Sequence, residues 1–269
     1  MGGLLRNLFL AAVGLFLSLP ILIVCSVSLN EKRRMVFPPE NITLKWYGYF
    51  FDSSQWTNAL TNSLIVGLSS ALLATAIALP LAWYLWYHGS RYSRLLAGLA
   101  TVPFMLPPVI IAIGFLLFWG TLGHVGQIEN QIIAHGVLFG ALPLVTITVG
   151  LNAIERPLLD AARTLGADEL TVFRSVVLPL VMPYMVSGLC FALVLSLNEY
   201  IVAYMVAGFA VETLPIKMLN SLRGGFTPAM SVGSVLFLVA GLAVFSLIAC
   251  FGDLPKLMGA DSGARHGGR

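Results

Sequence analysis

The chain has very little charge for its length. Only 10% of its 269 residues are Asp, Glu, Lys or Arg, whereas soluble domains carry about 25%. Its three cysteines, Cys25, Cys190 and Cys250, are far apart and lie in apolar segments, which excludes a disulfide framework and a cysteine-based metal spacing. The net charge of +3 and the lack of a basic run interleaved with aromatics argue against a nucleic-acid partner.

Motifs for catalysis and nucleotide binding are also missing. The sequence has no G-x-x-x-x-G-K-[ST] phosphate loop, no H-E-x-x-H zinc motif and no G-x-S-x-G nucleophile turn. We therefore predict a protein that is not an enzyme by itself, with no catalytic residue, no metal site and no cofactor of its own.

Apolar residues dominate what is present. They make up 58% of the chain, and the mean hydropathy is +0.90. A bilayer-spanning helix needs about 20 apolar residues. Six such segments predict an all-α, polytopic membrane protein that forms a single transmembrane domain over residues 1–269. The predicted spans are 8–29, 58–87, 96–119, 131–151, 182–206 and 228–251.

The distribution of positive charge predicts the orientation. Six spans put both termini on one side, and a cytoplasmic location for them places nine of the 15 Lys and Arg residues inside and six outside, as the positive-inside rule favours. The inside set is Arg6, Arg91, Arg94, Arg156, Arg163, Arg174, Lys256, Arg265 and Arg269, and the outside set is Lys32, Arg33, Arg34, Lys45, Lys217 and Arg223. The tail, 252–269, is Gly-rich, and its last residues are predicted to be disordered.

The longest polar interruption of the second half, 152–181, has the pattern of two short helices. Pro157 suits a first helical turn, Gly166 suits a left-handed helix end, and Asp168 suits the start of a second helix. We expect Leu178-Pro179 to end that helix, because the residue before a proline resists the α region. Small and apolar side chains predict a docking surface on the first helix, namely Leu158, Leu159, Ala161, Ala162 and Leu165. The alternative is a helix that lies on lipid headgroups.

The spacing within this interruption matches a known motif. Asp160-Ala161-Ala162 is followed by three residues and Gly166, then by nine residues, Val176, Val177 and Leu178-Pro179. This resembles the Glu-Ala-Ala, Gly, Ile-x-Leu-Pro motif in the membrane subunits of binding-protein-dependent ABC importers, with Asp in place of Glu and Val in place of Ile. The resemblance implies that Asp160, Ala161, Ala162, Gly166, Leu178 and Pro179 couple this chain to a cytoplasmic ATPase.

Residues 62–67 and 106–108 also resemble that family. The segments 196–208 and 213–215 are similar to the second permease of its spermidine/putrescine branch. The resemblance implies a type I importer permease fold in the bacterial inner membrane, surrounded by lipid. It also implies a second permease subunit, ATPase subunits that bind the ATP, and an extracytoplasmic solute-binding protein.

One carboxylate, Glu199, lies within the predicted spans, directly after Asn198. Because charge in hydrocarbon is costly, such groups usually face a cavity or a partner. We expect Asn198 and Glu199 to line the solute pathway on a continuous fifth helix; the alternative is an acid that is paired locally near the outer interface. His135 is expected to be satisfied by a backbone carbonyl or a water.

The main alternative function is a self-sufficient secondary carrier or channel. Glu199 and the prolines of the third span disfavour a scaffold without a pathway. A polyamine is the expected solute, and an organic anion, ferric iron or a phosphonate remain as alternatives.

Overall fold

The computed structural model describes residues 2–251, with side chains for 3–246, and its elements are helical. The helices are α1 (Gly2–Ser28), α2 (Lys45–Asp52), α3 (Ser54–His88), α4 (Arg91–Met105), α5 (Pro108–Thr121), α6 (Ile128–Phe139), α7 (Ala141–Asn152), α8 (Arg156–Thr164), α9 (Glu169–Val172), α10 (Leu178–Asn198), α11 (Ile201–Ala207), α12 (Leu214–Arg223) and α13 (Pro228–Phe251), with a π-helical turn at Phe173–Val177. The all-α prediction is confirmed. The tail 252–269 and the side chain of Cys250 lie outside these described residues.

Four helical runs are long and apolar enough to cross a membrane: α1, α3, the run Glu169–Asn198 and α13. Two further pairs reach that length only together, α4 with α5 and α6 with α7, and they bend by 105° and 43°. The described residues therefore hold four candidate spans, or six if each bent pair is one span. At about 1.5 Å per residue α3 is roughly 50 Å long, so it extends beyond a hydrocarbon layer of about 30 Å.

The third predicted span, 96–119, is not one helix in the structure. Leu106 has extended backbone angles (φ −82°, ψ 149°) between α4 and α5. The two prolines that follow explain this, because a proline ring excludes the α region for the residue before it. Pro108 then begins α5, where its missing N–H costs nothing.

The fifth predicted span, 182–206, is also interrupted. The helix α10 ends at Asn198, Glu199 has extended angles (φ −76°, ψ 126°), and α11 starts at Ile201. The segment 208–227, read from the sequence as a loop, contains α12, which begins with Pro215 in its first turn.

The chain divides into two compact units. The first comprises 1–61 and 213–240. Its core joins aromatic and aliphatic side chains of α2, α3, α12 and α13, namely Phe50, Trp56, Ala59, Leu214, Ala229, Met230 and Val232. Exposed apolar side chains cover α1, among them Leu4, Leu8 and Phe16. Such a surface requires hydrocarbon or a protein partner around it.

The second unit comprises 62–212 and the residues from 241 onwards. Its α7 and α10 pack together through glycines. An added Cβ on Gly150 would lie 2.6 Å from Cδ2 of Tyr184, and one on Gly188 would lie 2.5 Å from Cα of Pro143. Small residues let helix backbones approach closely where lipid provides no hydrophobic driving force between them. This approach holds α10 in place, and α10 connects the two sites described below.

We predict that Gly188→Ala destabilises the protein. The new methyl group meets the backbone of Pro143, which cannot rotate away, and overpacking of this kind costs about 1–3 kcal/mol. The melting temperature of the detergent-purified protein measures the effect. Gly114→Ala on α5 is the control, because its Cβ would meet nothing within 4 Å. Equal melting temperatures for the two variants would contradict the close approach.

Candidate coupling site and helix break

The polar interruption forms a hairpin of α8 and α9. Pro157 lies in the first turn of α8, and Gly166 follows this helix with φ +89°, in the left-handed region that glycine favours. The Asp168 side chain caps α9, because its Oδ1 accepts a hydrogen bond from the Thr171 amide at 2.9 Å. Hydrogen bonds from Thr171 hold the pKa of the Asp168 carboxyl below its usual value. The local pattern of the sequence thus predicts this hairpin correctly.

Arg163 connects the two short helices. Its Nε donates to Oε1 of Glu169 at 3.0 Å, and its Nη1 donates to Oδ1 of Asp160 at 3.2 Å. The hydrogen bond with Glu169 raises the pKa of the Arg163 guanidinium. Exposed pairs of this kind contribute little free energy, so their effect here is to orient Asp160 and α9 relative to each other.

The motif residues differ in exposure. Asp160, Ala161 and Gly166 are exposed and Ala162 is half-buried, while Leu165 projects with 88% of its surface accessible. Leu159 was expected on the docking surface, but it is buried in the core cluster beneath the hairpin with Val172 and Val177. The apolar groups that α8 offers to a partner are therefore Leu158 and Leu165.

Leu178-Pro179 does not end the helix, contrary to the sequence prediction. Leu178 has α-helical angles (φ −59°, ψ −44°), and the π-helical turn Phe173–Val177 leads directly into α10. A π turn already departs from the i−4 hydrogen-bonding pattern, and Pro179 lies in the first turn of α10, where its missing N–H is tolerated. The hairpin is thus continuous with the long helix after it.

A cavity of about 400 Å³ adjoins the hairpin. It is lined by Trp86 and Tyr87 at the end of α3 and by Arg156, Leu159, Asp160 and Arg163 of α8. Its lining is polar and aromatic, so it suits a charged or hydrogen-bonding group of a docking partner better than an apolar one.

The second site is the break between α10 and α11. The Glu199 carboxylate caps α11: Oε1 accepts from the amides of Ile201 and Val202 at 2.9 and 3.0 Å, and Oε2 accepts from those of Val202 and Ala203 at 2.9 and 3.0 Å. A carboxylate at this position satisfies amides that have no partner within the helix and interacts favourably with the helix dipole.

His135 of α6 approaches the same carboxylate. Its Nε2 lies 3.2 Å from Oε2 of Glu199, and the two side chains are 1% and 9% exposed. The N–H direction is off-axis, so this is an electrostatic contact and Nε2 makes no hydrogen bond. On the other side of the ring, Nδ1 lies 2.7 Å from Oγ of Ser196, which accepts from Ser70 at 3.0 Å.

Gln131 lies one helical turn before His135 and contacts the far side of the break. Its Nε2 donates to the carbonyl oxygens of Ala203 and Val211, both at 3.0 Å. Asn62 donates to the Glu212 carbonyl at 3.0 Å. Side chains of α6 and α3 thus hold α11 and the segment after it.

The structure places Asn198 and Glu199 at the break, but their side chains differ in environment. Asn198 is exposed, and its Nδ2 donates to the Val194 carbonyl at 2.8 Å. Glu199 is turned inward onto α11, off the continuous helix face expected for it. Its partner His135 makes side-chain contacts instead of the expected backbone or water contact.

Sequence reasoning placed Ser196 on the face of Glu199 but missed Gln131 and Ser70 as members of this site. The i, i+4 spacing of Gln131 and His135 puts both on one face of a helix, which was the available signal. In the part of the chain that the structure describes, no group of three or more His, Cys, Asp or Glu side chains could hold a metal ion.

Comparison with known proteins gives clear relatives. The spermidine/putrescine transport system permease protein PotC of Haemophilus influenzae is 30% identical over 245 residues, which cover 90% of this chain and 94% of that protein. The putrescine transport system permease protein PotI of Escherichia coli K12 is 29% identical and covers 84% of this chain and 82% of its own length.

A solved structure shows the same fold at low identity. It is a bacterial alginate ABC transporter in complex with an alginate pentasaccharide-bound periplasmic protein, with a TM-score of 0.65, 15% identity and coverage of 95% of this chain and 94% of that one. Residues 74–252 match the family described as binding-protein-dependent transport system inner membrane component. The chain belongs to this family and is a multi-pass permease subunit of an ABC importer in the bacterial cytoplasmic membrane.

Proposed function

We propose that this chain forms half of the pathway of a polyamine importer. The relatives named above are permeases of spermidine/putrescine and putrescine systems, and they align over most of the chain. A second permease subunit forms the other half, a pair of ATPase subunits binds and hydrolyses ATP, and an extracytoplasmic binding protein delivers the solute. The periplasmic protein bound to the structurally similar alginate transporter supports the last partner.

The proposed topology has six spans with both termini in the cytoplasm. Each bent pair, α4 with α5 and α6 with α7, counts as one crossing in this proposal. The hairpin of α8 and α9 is then cytoplasmic, as docking on an ATPase requires. The excess of Lys and Arg on that side supports the same orientation.

The exposed α8 is the observation that carries the coupling proposal. It presents Leu158 and Leu165 beside the short side chain of Ala161, a pattern suited to docking of a helix in a groove. Since the π turn joins α9 to α10 without a break, displacement of the hairpin by ATPase closure passes directly into the fifth span. ATP-driven closure then shifts the permease pair from an inward-open to an outward-open state.

Asn198 and Glu199 are proposed to border the solute pathway. Asn198 offers an exposed amide at the end of α10, and Glu199 supplies a negative charge close by. A carboxylate near the pathway favours an ammonium group in transit.

The proposal is tested in proteoliposomes that contain this chain, its partner permease and the ATPase, with the cognate binding protein outside. ATP-dependent uptake of putrescine or spermidine is expected. Gradient-driven uptake by the chain alone would show a secondary carrier. Preferential binding of an organic anion, ferric iron or a phosphonate by the cognate binding protein would refute the polyamine assignment.

We predict that Ala161→Trp abolishes ATP-dependent uptake while the protein still inserts in normal amount. Ala161 is exposed within this chain, so the indole clashes only with a docked partner. Co-purification of the ATPase and initial uptake rate are the measurements. Leu122→Trp is the control, since Leu122 is exposed on a different loop. Normal ATPase binding by Ala161→Trp would refute the docking proposal.

We predict opposite effects of charge at Asn198. Asn198→Lys places a cation beside the pathway and is expected to lower putrescine uptake at least about fivefold, since repulsion of one charge at close range costs about 1–4 kcal/mol. Asn198→Asp, of equal size to the native residue, should retain uptake. The half-saturating concentration and maximal rate of each variant decide this. If both charges act alike, Asn198 does not border a pathway for cations.

A further inference from the structure

We propose that His135 is a positioning residue of the importer, which holds the Glu199 carboxylate on α11 and thereby fixes the break that presents Asn198. This inference rests on the proposed function, because it assigns a role to residues at the proposed pathway. It goes beyond that function by separating the residue that borders the pathway from the residues that set its geometry.

The acceptor capacity of Glu199 is the first step. An ionised carboxylate has about four lone-pair positions. Three successive amides, of Ile201, Val202 and Ala203, fill them in the structure, and His135 lies against Oε2. A passing ammonium group would have to displace these donors. Glu199 therefore contributes its charge from beside the pathway and acts on the solute through the backbone that it holds, not as a direct ligand.

The proton arrangement around His135 is the second step. Oγ of Ser196 lies 2.7 Å from Nδ1 of His135 and 3.0 Å from Oγ of Ser70, whose single proton is shared with the Gly67 carbonyl at 3.0 Å. When the Ser196 hydroxyl donates to Nδ1, the other ring nitrogen, Nε2, carries the ring proton and faces the carboxylate. This is the tautomer that is attractive to Glu199. Because His135 is 1% exposed, it cannot contact a solute itself in this conformation.

A second contact of α6 with this segment is the third step. Gln131, on the same face of α6, donates to the carbonyls of Ala203, the third residue of α11, and of Val211, four residues after the end of α11. Together Gln131 and His135 hold a helix of only seven residues, which is too short to be stable without tertiary contacts. The face of α6 thus defines where the fifth span breaks and which way its two parts point.

A matched pair of histidines in the same chain tests this role. His124 also pairs with a glutamate, since its Nε2 lies 2.9 Å from Oε1 of Glu129, but both side chains are about half exposed, at 46% and 47%. An alanine substitution at each position compares the loss of a buried positioning contact with the loss of a surface pair. The surface pair contributes little to stability.

The structural measurement uses spin labels on α6 and α11. Val137 and Ile201 are exposed positions on the two helices, and their cysteine variants, made without the native cysteines, report one distance in the complete reconstituted transporter. His135→Ala is expected to broaden this distance distribution, and His124→Ala is expected to leave it unchanged. An unchanged distribution in His135→Ala would overturn the proposal. This measurement needs no transported solute.

The functional measurement is ATP-dependent putrescine uptake. His135→Ala is expected to lower the maximal rate at least about fivefold, because it removes the contact with Glu199 and the hydrogen-bond partner of the buried Ser196 hydroxyl. The half-saturating concentration should stay within about twofold of the native value. A higher half-saturating concentration at an unchanged maximal rate would mean that the pair binds solute directly, which would overturn the proposal.

Two further variants complete the test. His135→Gln retains a neutral donor and is expected to recover part of the rate and of the narrow distance distribution; a loss equal to that of His135→Ala at equal protein amount would count against the proposal. The double variant His135→Ala/Glu199→Gln should be no worse than the more severe single variant, because both act through one contact. If the double variant instead lowered the rate by the product of the two single losses, the residues would act independently, which would contradict this expectation. If the native transporter imports no putrescine, the polyamine proposal fails, and the distance measurement still decides the role of His135.

Discussion

Backbone polar groups inside a membrane need partners within the protein, and this constraint governs every irregular point of the second unit. An unpaired amide or carbonyl in hydrocarbon costs several kcal/mol by general estimates. At the bend after α4, Pro107 and Pro108 remove two amides that would need acceptors, and the Leu106 amide bonds back to Pro103 at 3.3 Å. At the break after α10, the Glu199 carboxylate accepts hydrogen bonds from the first amides of α11, which have no acceptor within that helix.

The two breaks therefore follow different rules. Prolines create the first, so local sequence specifies it. The second is held by a side chain that receives support from α6, a distant part of the chain, and it depends on the packing that brings His135 to Glu199. A break of the second kind can change when its supporting helix moves, which suits a position at a proposed solute pathway.

Close packing of α7 on α10 connects this break to the hairpin at the other end of α10. Gly150 and Gly188 remove the side chains that would separate the two helices, so α10 has a defined position along its length. With the π turn joining α9 to α10, the second helix of the hairpin and Asn198 lie on one continuous helical run, Glu169–Asn198. In the proposed coupling mechanism, a displacement of α9 would therefore reach Asn198 without a flexible linker between them.

The sequence alone determined the helical membrane class, the hairpin with Pro157, Gly166 and Asp168 at its helix ends, and the motif that indicates the family. These features depend on local preferences and on apolar run length, which a sequence displays directly. It did not determine that the helix continues through Leu178-Pro179. The π turn before this proline changes the hydrogen-bonding pattern, so that the missing N–H of Pro179 is tolerated. Nor did the sequence place Leu159 inside or pair Glu199 with His135, since α6 and α10 are distant in sequence and only their packing brings these side chains together.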